Sequence, residues 1–379
     1  MISIAVACVV LLTPMDSLPY TEFAVPDEWD HDCTSMDSEG RTVVGCSRWN
    51  RDAGRNQAVL FLVGQSLDTV MIADERVLGI TSIHPASDGG FLITCPLSRR
   101  ETETAAAKLA PDGTVEWFTP VGQVLGNGYT YSTAFAETPG GGLLVGGNMP
   151  PGGGEVRYVA ALLDGEGEVV WSLNGEVGEE LDAALADETG VLLAGEMPGD
   201  DQTQAFARRF DLQGNPVWEL TCDLGGFSSF KCVERASEGY FLGGMHFTAD
   251  GQQYGLIVCA GDTGEELWRS LIDQPDGYQQ SYVKDLTELG DGRVLAAGYS
   301  MMDSAPRHSD DGLVVVLNEA GEPVWLKLFG RPGRTHESLR HIHIRTDGGI
   351  VFLGNSWRGY WEDKRIFVLG PIDGIAAVD

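Results

Sequence analysis

Apolar and polar residues alternate along this chain in short runs of five to seven, each ended by glycine with Asp, Glu, Ser or Thr. Ser281 to Leu286, Arg293 to Tyr299, Gly312 to Leu317 and Pro323 to Leu328 show the pattern within one stretch. Runs this short, rich in Val, Leu and Tyr, predict β-strands rather than helices. The elements between them, such as Asp-Gly-Gly, predict tight turns, because glycine reaches positive φ and Asp bonds its own backbone there.

The pattern repeats. SEGRTVVG ends at Gly45, SDGGFLITC at Cys95, PGGGLLVG at Gly146, ETGVLLAG at Gly195, SEGYFLGG at Gly244, GDGRVLAAG at Gly298 and TDGGIVFLG at Gly354. Successive end points lie 50, 51, 49, 49, 54 and 56 residues apart, which defines seven repeats. A second element, a turn glycine four residues before a Trp, recurs at Gly113/Trp117, Gly167/Trp171, Gly214/Trp218, Gly264/Trp268 and Gly321/Trp325. In the last repeat Gly374 keeps the turn but Val378 replaces the Trp. Repeats of about fifty residues with four antiparallel strands are what a β-propeller blade requires, since a lone blade cannot bury both faces. The expected fold is therefore all-β, a seven-bladed β-propeller of four-stranded blades over residues 29–379.

CAGDTGEELW (Cys259 to Trp268) and LLDGEGEVVW (Leu162 to Trp171) resemble the tryptophan-docking repeats of quinoprotein-type propellers. PVWLKLFG followed by TDGGIVFLG is similar to the repeats of secreted bacterial propellers. The resemblance implies a secreted, periplasmic or surface protein, many of whose relatives are scaffolds and some of which bind redox cofactors. Quinone enzymes of this kind often carry two adjacent cysteines. This chain has no such pair, so no cofactor is expected. The repeated tryptophans read as packing between blades, and Gly45, Gly146, Gly195, Gly244, Gly298 and Gly354 as places where a neighbouring blade comes close.

Composition narrows the function. With 25 Lys and Arg against 56 Asp and Glu the net charge is −31, the opposite of what phosphate contacts demand, so nucleic acid is not an expected partner. Residues 1–28 form a separate segment. The apolar run from Ile2 to Leu12 has the length of a signal-peptide core and is too short for a stable membrane span. It lacks basic residues ahead of it, and a strand that helps close the fold is the other reading. Ala5-Val6-Ala7-Cys8 is faintly like a lipoprotein box, but the apolar stretch continues past the cysteine.

Strand order assigns a working face. The glycine turns lie on one side, and the longer loops between second and third strands lie on the other with the connections between blades. Loops on a rigid scaffold are where binding usually resides. Those loops collect Arg48, Trp49, Arg99, Phe247, Trp357, Arg358, Tyr360 and Trp361, cations and aromatics of the types that dominate interfaces and stack on sugars. Asp52, Glu101, Asp310 and Glu362 partly neutralise them. A register on the innermost strand reads Asp32, Ser82, Thr133, Asp182, Lys231, Asp285 and His341, all polar. It predicts a polar channel, with Asp32, Asp182, Lys231, Asp285 and His341 as candidate channel groups.

His336, His341 and His343 lie close in sequence, but no third ligand is fixed and the spacing is not HExxH, so no metal site is assigned. GxSxG, P-loop, CxxC and EF-hand patterns are absent. Of seven cysteines, Cys33 and Cys46 flank a turn and Cys222 and Cys232 a connection, which suggests two local disulfides. The sequence therefore points to a non-catalytic extracytoplasmic propeller that binds a protein or carbohydrate partner through its loop-rich face. A polysaccharide hydrolase or lyase with acids at the channel mouth is the alternative. The oligomeric state is left open.

Overall fold

The computed structural model describes residues 11–14, 20–23, 30–36, 41–50, 55–63, 67–97, 104–123, 131–149, 156–200, 202–273, 278–302, 309–330, 335–345, 348–358 and 362–370. The chain divides into two compact units, an early one of residues Val25–Asp223 and a late one of Met1–Ala24 with Leu224–Asp379. Among the described residues no helix is long and apolar enough to cross a membrane.

The late unit opens with β1 (Leu11–Pro14) and β2 (Tyr20–Phe23). The early unit holds four antiparallel sheets in chain order. These are β3 (Asp30–Met36), β4 (Thr42–Asn50), β5 (Arg55–Val63) and β6 (Leu67–Met71), then β7 (Ser82–Pro85), β8 (Phe91–Pro96), β9 (Thr104–Leu109) and β10 (Val115–Thr119). They continue with β11 (Tyr131–Glu137), β12 (Leu143–Met149), β13 (Arg157–Leu163) and β14 (Val169–Asn174), and β15 (Glu180–Asp187), β16 (Gly190–Pro198), β17 (Thr203–Phe210) and β18 (Pro216–Cys222).

In the late unit follow β19 (Gly226–Ala236), β20 (Gly239–Thr248), β21 (Gln253–Ala260) and β22 (Glu266–Ile272), and β23 (Gln280–Glu288), β24 (Val294–Met302), β25 (Ser309–Leu317) and β26 (Pro323–Gly330). The last three are β27 (Thr335–Ile344), β28 (Ile350–Arg358) and β29 (Glu362–Leu369).

The blade is a four-stranded antiparallel meander, as the repeat predicts. Seven separate blades are not what forms. Five sheets have four strands, and the meanders β19–β22 and β23–β26 share one nine-stranded sheet with β1. The physical reason is a parallel bridge at Gln253 and Gln280, where the buried Gln253 Nε2 also donates to the Ser281 carbonyl at 3.2 Å. β1 adds to the free edge of β26 in parallel, Leu11 opposite Lys327. The fifth four-stranded sheet takes its fourth strand from the beginning of the chain: β2 pairs antiparallel with β29, Tyr20 opposite Leu369.

Alternation along each middle strand explains the stacking. On β24, Ala296 joins the core shared with β19–β22, while Leu295 and Ala297 face the core shared with β27–β29. Successive side chains point to opposite faces, so one strand serves two interfaces. In the early unit Leu60 and Ile93 meet in one such core and Leu144 and Leu193 in another. Full burial of each such aliphatic side chain stabilises by roughly 1.5–3 kcal/mol. The contacts recur with the repeat. Ser87 and Ser237 donate N–H and hydroxyl to Glu137 and Glu288, each at the end of the next meander's first strand, at 2.7–3.2 Å.

Three of the five repeated tryptophans pack as expected. Trp117 lies against Gly167, Trp171 against Gly214 and Trp268 against Gly321, each Trp covering the turn glycine of the following meander. Those glycines have φ of +82°, +83° and +78°. Trp171 Nε1 also donates to the Leu212 carbonyl at 3.2 Å.

The other repeated glycine has a different role from the one expected. A Cβ on Gly195, Gly244 or Gly298 would meet the carbonyl oxygen of Glu180, Ser229 or Tyr282, each on the first strand of the same meander. These glycines lie opposite the place where the ladder slips by one residue. A bulge brings one backbone under the other, and only glycine leaves room. Gly146 does face a neighbouring meander, through Leu181.

Candidate functional site

Antiparallel pairing places Gln280, Met302, Ser309, Gly330 and Thr335 at one end of the β23–β27 strands, the side of the longer connections. These connections are shorter than the sequence predicts. β20 runs to Thr248 and β21 starts at Gln253, joined by a tight turn in which Gly251 has φ +88°. Aromatic and β-branched residues at the loop ends extend the ladder instead.

Near this end the late unit assembles a polar and aromatic cluster. Tyr282 on β23 and Tyr299 on β24 are directly opposite each other and stack, with centroids 4.5 Å apart and planes 21° from parallel. Lys284 Nζ sits 5.5 Å from the first ring and 5.9 Å from the second, close enough for cation–π attraction. Arg340 on β27 is exposed and couples electrostatically to Tyr299. With the Asn355 amide nitrogen turned to the Gly354 carbonyl, its oxygen accepts from Arg340 Nε at 3.3 Å.

Two acids and a histidine complete the cluster. His336 Nδ1 lies 3.1 Å from Asp310 Oδ2, and the Tyr278 hydroxyl donates to Asp311 Oδ2. Burial, then Tyr282 and Asp310, push the Tyr299 hydroxyl well above the usual phenol range, while Arg340 opposes the shift. The dense packing of strands around Arg340 lowers its guanidinium below the ordinary value although the side chain reaches solvent. Burial raises the Asp311 carboxyl against the pull of Tyr278, with Asp310 adding to the rise.

Deeper along the same strands, burial lifts the Asp285 carboxyl to about 7 although it accepts hydrogen bonds from the N–H groups of Ile342 (2.7 Å) and Leu286 (3.0 Å). Glu234 on β19 is also raised to about 7, by burial and then by the Asp285 charge. Two carboxyls poised near neutrality can each hold or release a proton there.

The channel register is corrected by the bulges. Asp32, Thr133, Asp182 and Lys231 occupy the extra position on β3, β11, β15 and β19, as one register requires. On β23 and β27 that position belongs to Lys284 and Arg340, so Asp285 and His341 stand one residue beyond it. The turns after these two strands, closed by Leu289 with Arg293 and Arg345 with Gly349, carry the positive-φ glycines Gly292 and Gly348. Eight residues before those glycines stand Lys284 and Arg340, as Thr133 stands eight before Gly141, whereas a count from Arg293 and Gly349 slips by one. Lys284 and Arg340 escaped the sequence reading for that reason, while Tyr282, Tyr299 and Glu234 lie outside the register it sampled.

Among the predicted binding residues, Phe247 packs edge-on against Phe227, centroids 5.9 Å apart. Arg48 and Trp49 lie on β4, Trp357 and Arg358 on β28 and Asp32 on β3, with side chains outside the described residues. Arg99, Tyr360 and Trp361 lie outside them altogether. Among the described residues no three His, Cys, Asp or Glu converge as a metal site. Cys232 is a free buried thiol, which corrects the expected Cys222–Cys232 disulfide, and Cys33 of the other pair has its side chain outside the described residues.

A groove of about 510 Å³ in the early unit opens on the side of the short turns, among Pro139, Leu162, Asp164, Val170, Glu188 and Leu212. Its lining is mainly apolar and carries no cluster of charges.

Neither a protein-family profile nor a curated protein sequence matches the chain. Among solved structures it is similar to the β-propeller domain of the Trilobed protease from Pyrococcus furiosus, which has an open velcro topology. Identity is 10%, 92% of this chain and 94% of that chain are covered, and the TM-score is 0.51. It is also similar to the acylaminoacyl peptidase of Pyrococcus horikoshii, at 10% identity over 89% of this chain and 52% of that one, TM-score 0.46. A neuraminidase-like protein of A/little yellow-shouldered bat/Guatemala matches at 10% identity over 94% and 98%, TM-score 0.44. The last two scores are too low to argue from. The first agrees with the four-stranded antiparallel meanders, and the fold is a β-propeller.

Proposed function

We propose that this chain is a non-catalytic, extracytoplasmic β-propeller that binds a protein or carbohydrate partner on the side of its longer connections. The observation that carries the reading is the Tyr282–Tyr299 stack with Lys284 over both rings and Arg340 beside it. Flat aromatic surface next to fixed cations, on strands rather than mobile loops, suits recognition of a polar partner. Trp357, near the end of β28 and opposite His336, stays among the binding residues in this proposal. A glycan array and a capture screen of secreted proteins test it. Capture should fall on Tyr282→Ala or Trp357→Ala at unchanged thermal stability, and no capture by the parent chain would overturn it.

A second reading, hydrolysis or lysis of an extracellular polysaccharide, draws support from one observation. Glu234 and Asp285 both titrate near 7, where one carboxyl can act as acid while another acts as base. Turnover abolished by both Glu234→Gln and Asp285→Asn would favour it.

A further inference from the structure

Three successive repeats put a cation at the same point of the ladder. Lys231 on β19, Lys284 on β23 and Arg340 on β27 are the bulged residues, each beside the slip in register. β19 packs on β23 and β23 on β27, so the three cations sit at one level of neighbouring strands. In a chain of charge −31 such a grouping opposes the average field. A bulged residue is turned out of the regular ladder, away from the alternation that feeds the two packed faces.

Asp285 accepts the backbone N–H groups of Ile342 and Leu286, and Asp310 faces His336. Lys284 reaches over the Tyr282–Tyr299 stack, and Arg340 is oriented by Asn355. Guanidinium and ammonium groups held in place recognise an oxyanion through charge-assisted hydrogen bonds, and a tyrosine pair offers apolar surface to a sugar ring.

We propose that Lys284 and Arg340, with Lys231 alongside, form an oxyanion site for the carboxylate of an acidic sugar whose ring rests on the Tyr282–Tyr299 stack. The proposal deepens the binding reading and rests on it for the choice of a sugar. Calorimetric titration of the full chain with glucuronate, glucose and sulfate tests it. Glucuronate should bind most tightly, sulfate more weakly and glucose least. Lys284→Met and Arg340→Gln should each weaken glucuronate about tenfold. Tyr282→Ala should weaken glucuronate but not sulfate, and Arg76→Gln, a substitution in the early unit, should change nothing. Thermal melts of each variant report whether it folds. Glucuronate bound no better than glucose, or with parental affinity by both cation variants, would overturn the site. Equal affinity for glucuronate and sulfate would overturn its sugar half. Capture of neutral glycans or proteins without glucuronate binding sinks the oxyanion site alone, whereas absence of any capture sinks the binding reading as well.

Discussion

Asp285 Oδ2 on β23 accepts a 2.7 Å hydrogen bond from the backbone N–H of Ile342 on β27. One side chain thus ties the first strands of two successive meanders together. Its carboxyl is nevertheless held up at about 7 by burial, so the tie is made in surroundings that disfavour charge.

That conflict has a sign. A carboxyl raised in the folded state from an ordinary 3.8 to about 7 contributes stability that is complete below pH 4 and is lost as pH rises through 7. Glu234 acts in the same direction. Urea denaturation at pH 5 and pH 8 should show the late unit losing stability with rising pH, and Asp285→Asn, which keeps an acceptor for Ile342, should flatten the slope. An unchanged slope in that variant would contradict the assignment.

The tryptophan contacts predict a graded response at turn glycines. A Cβ on Gly321 would come within 2.3 Å of Trp268 at φ +78°, whereas Gly348, at φ +82°, has no neighbour within 4 Å. Gly348→Ala should cost about 1 kcal/mol for conformation alone. Gly321→Ala adds overpacking and should cost about 1–3 kcal/mol more. Equal melting temperatures for the two variants would refute the packing role.

Arg208 is held by Glu179 at 2.6 and 2.8 Å and by Glu219, and reaches the Tyr158 hydroxyl at 3.3 Å. The Glu179 side chain is only 2% exposed. Glu179→Ala leaves a half-buried guanidinium short of its main partner, and a loss of about 3 kcal/mol is expected in chemical denaturation. Glu179→Gln should lose less, because it still accepts a hydrogen bond.

The N-terminal strands make a prediction by truncation. Removing residues 1–14 deletes β1 from the edge of β26, and removing residues 1–24 also strips β2 from β29. The second truncation opens an unpaired edge in a three-stranded remnant, a template for association. It should melt lower and elute as larger species in size-exclusion chromatography, while the shorter truncation remains close to the parent. Monomeric, fully stable protein after removal of residues 1–24 would show that β2 is dispensable.

Strand runs, turn glycines and the Gly-to-Trp spacing were legible in the chain because each depends on contacts within a few residues. In repeat six the predicted Ser281 to Leu286 and Gly312 to Leu317 lie inside the observed Gln280–Glu288 and Ser309–Leu317. The tryptophan packing was legible too, since a bulky ring at a fixed offset needs a matching gap at the same offset in the next repeat. Lys284 and Arg340 were missed because the count began one residue past the turn glycines Gly292 and Gly348, and a bulge has no residue type of its own to reveal the slip. It announces itself only through the glycine on the opposite strand, as Gly298 does opposite the slip at Lys284.

By itself the sequence determined the four-stranded meander, the side on which its turns lie and the alternation that makes each strand serve two cores. Tertiary structure decided which edges pair. The bridge at Gln253 and Gln280 merges two meanders, and β2 completes a sheet with strands more than three hundred residues away in the chain. It also decided that Tyr282, Lys284, Tyr299 and Arg340 meet. Hydrogen-bond donors on a strand edge are alike at every residue, so pairing partners follow from the space left by neighbours and not from local pattern.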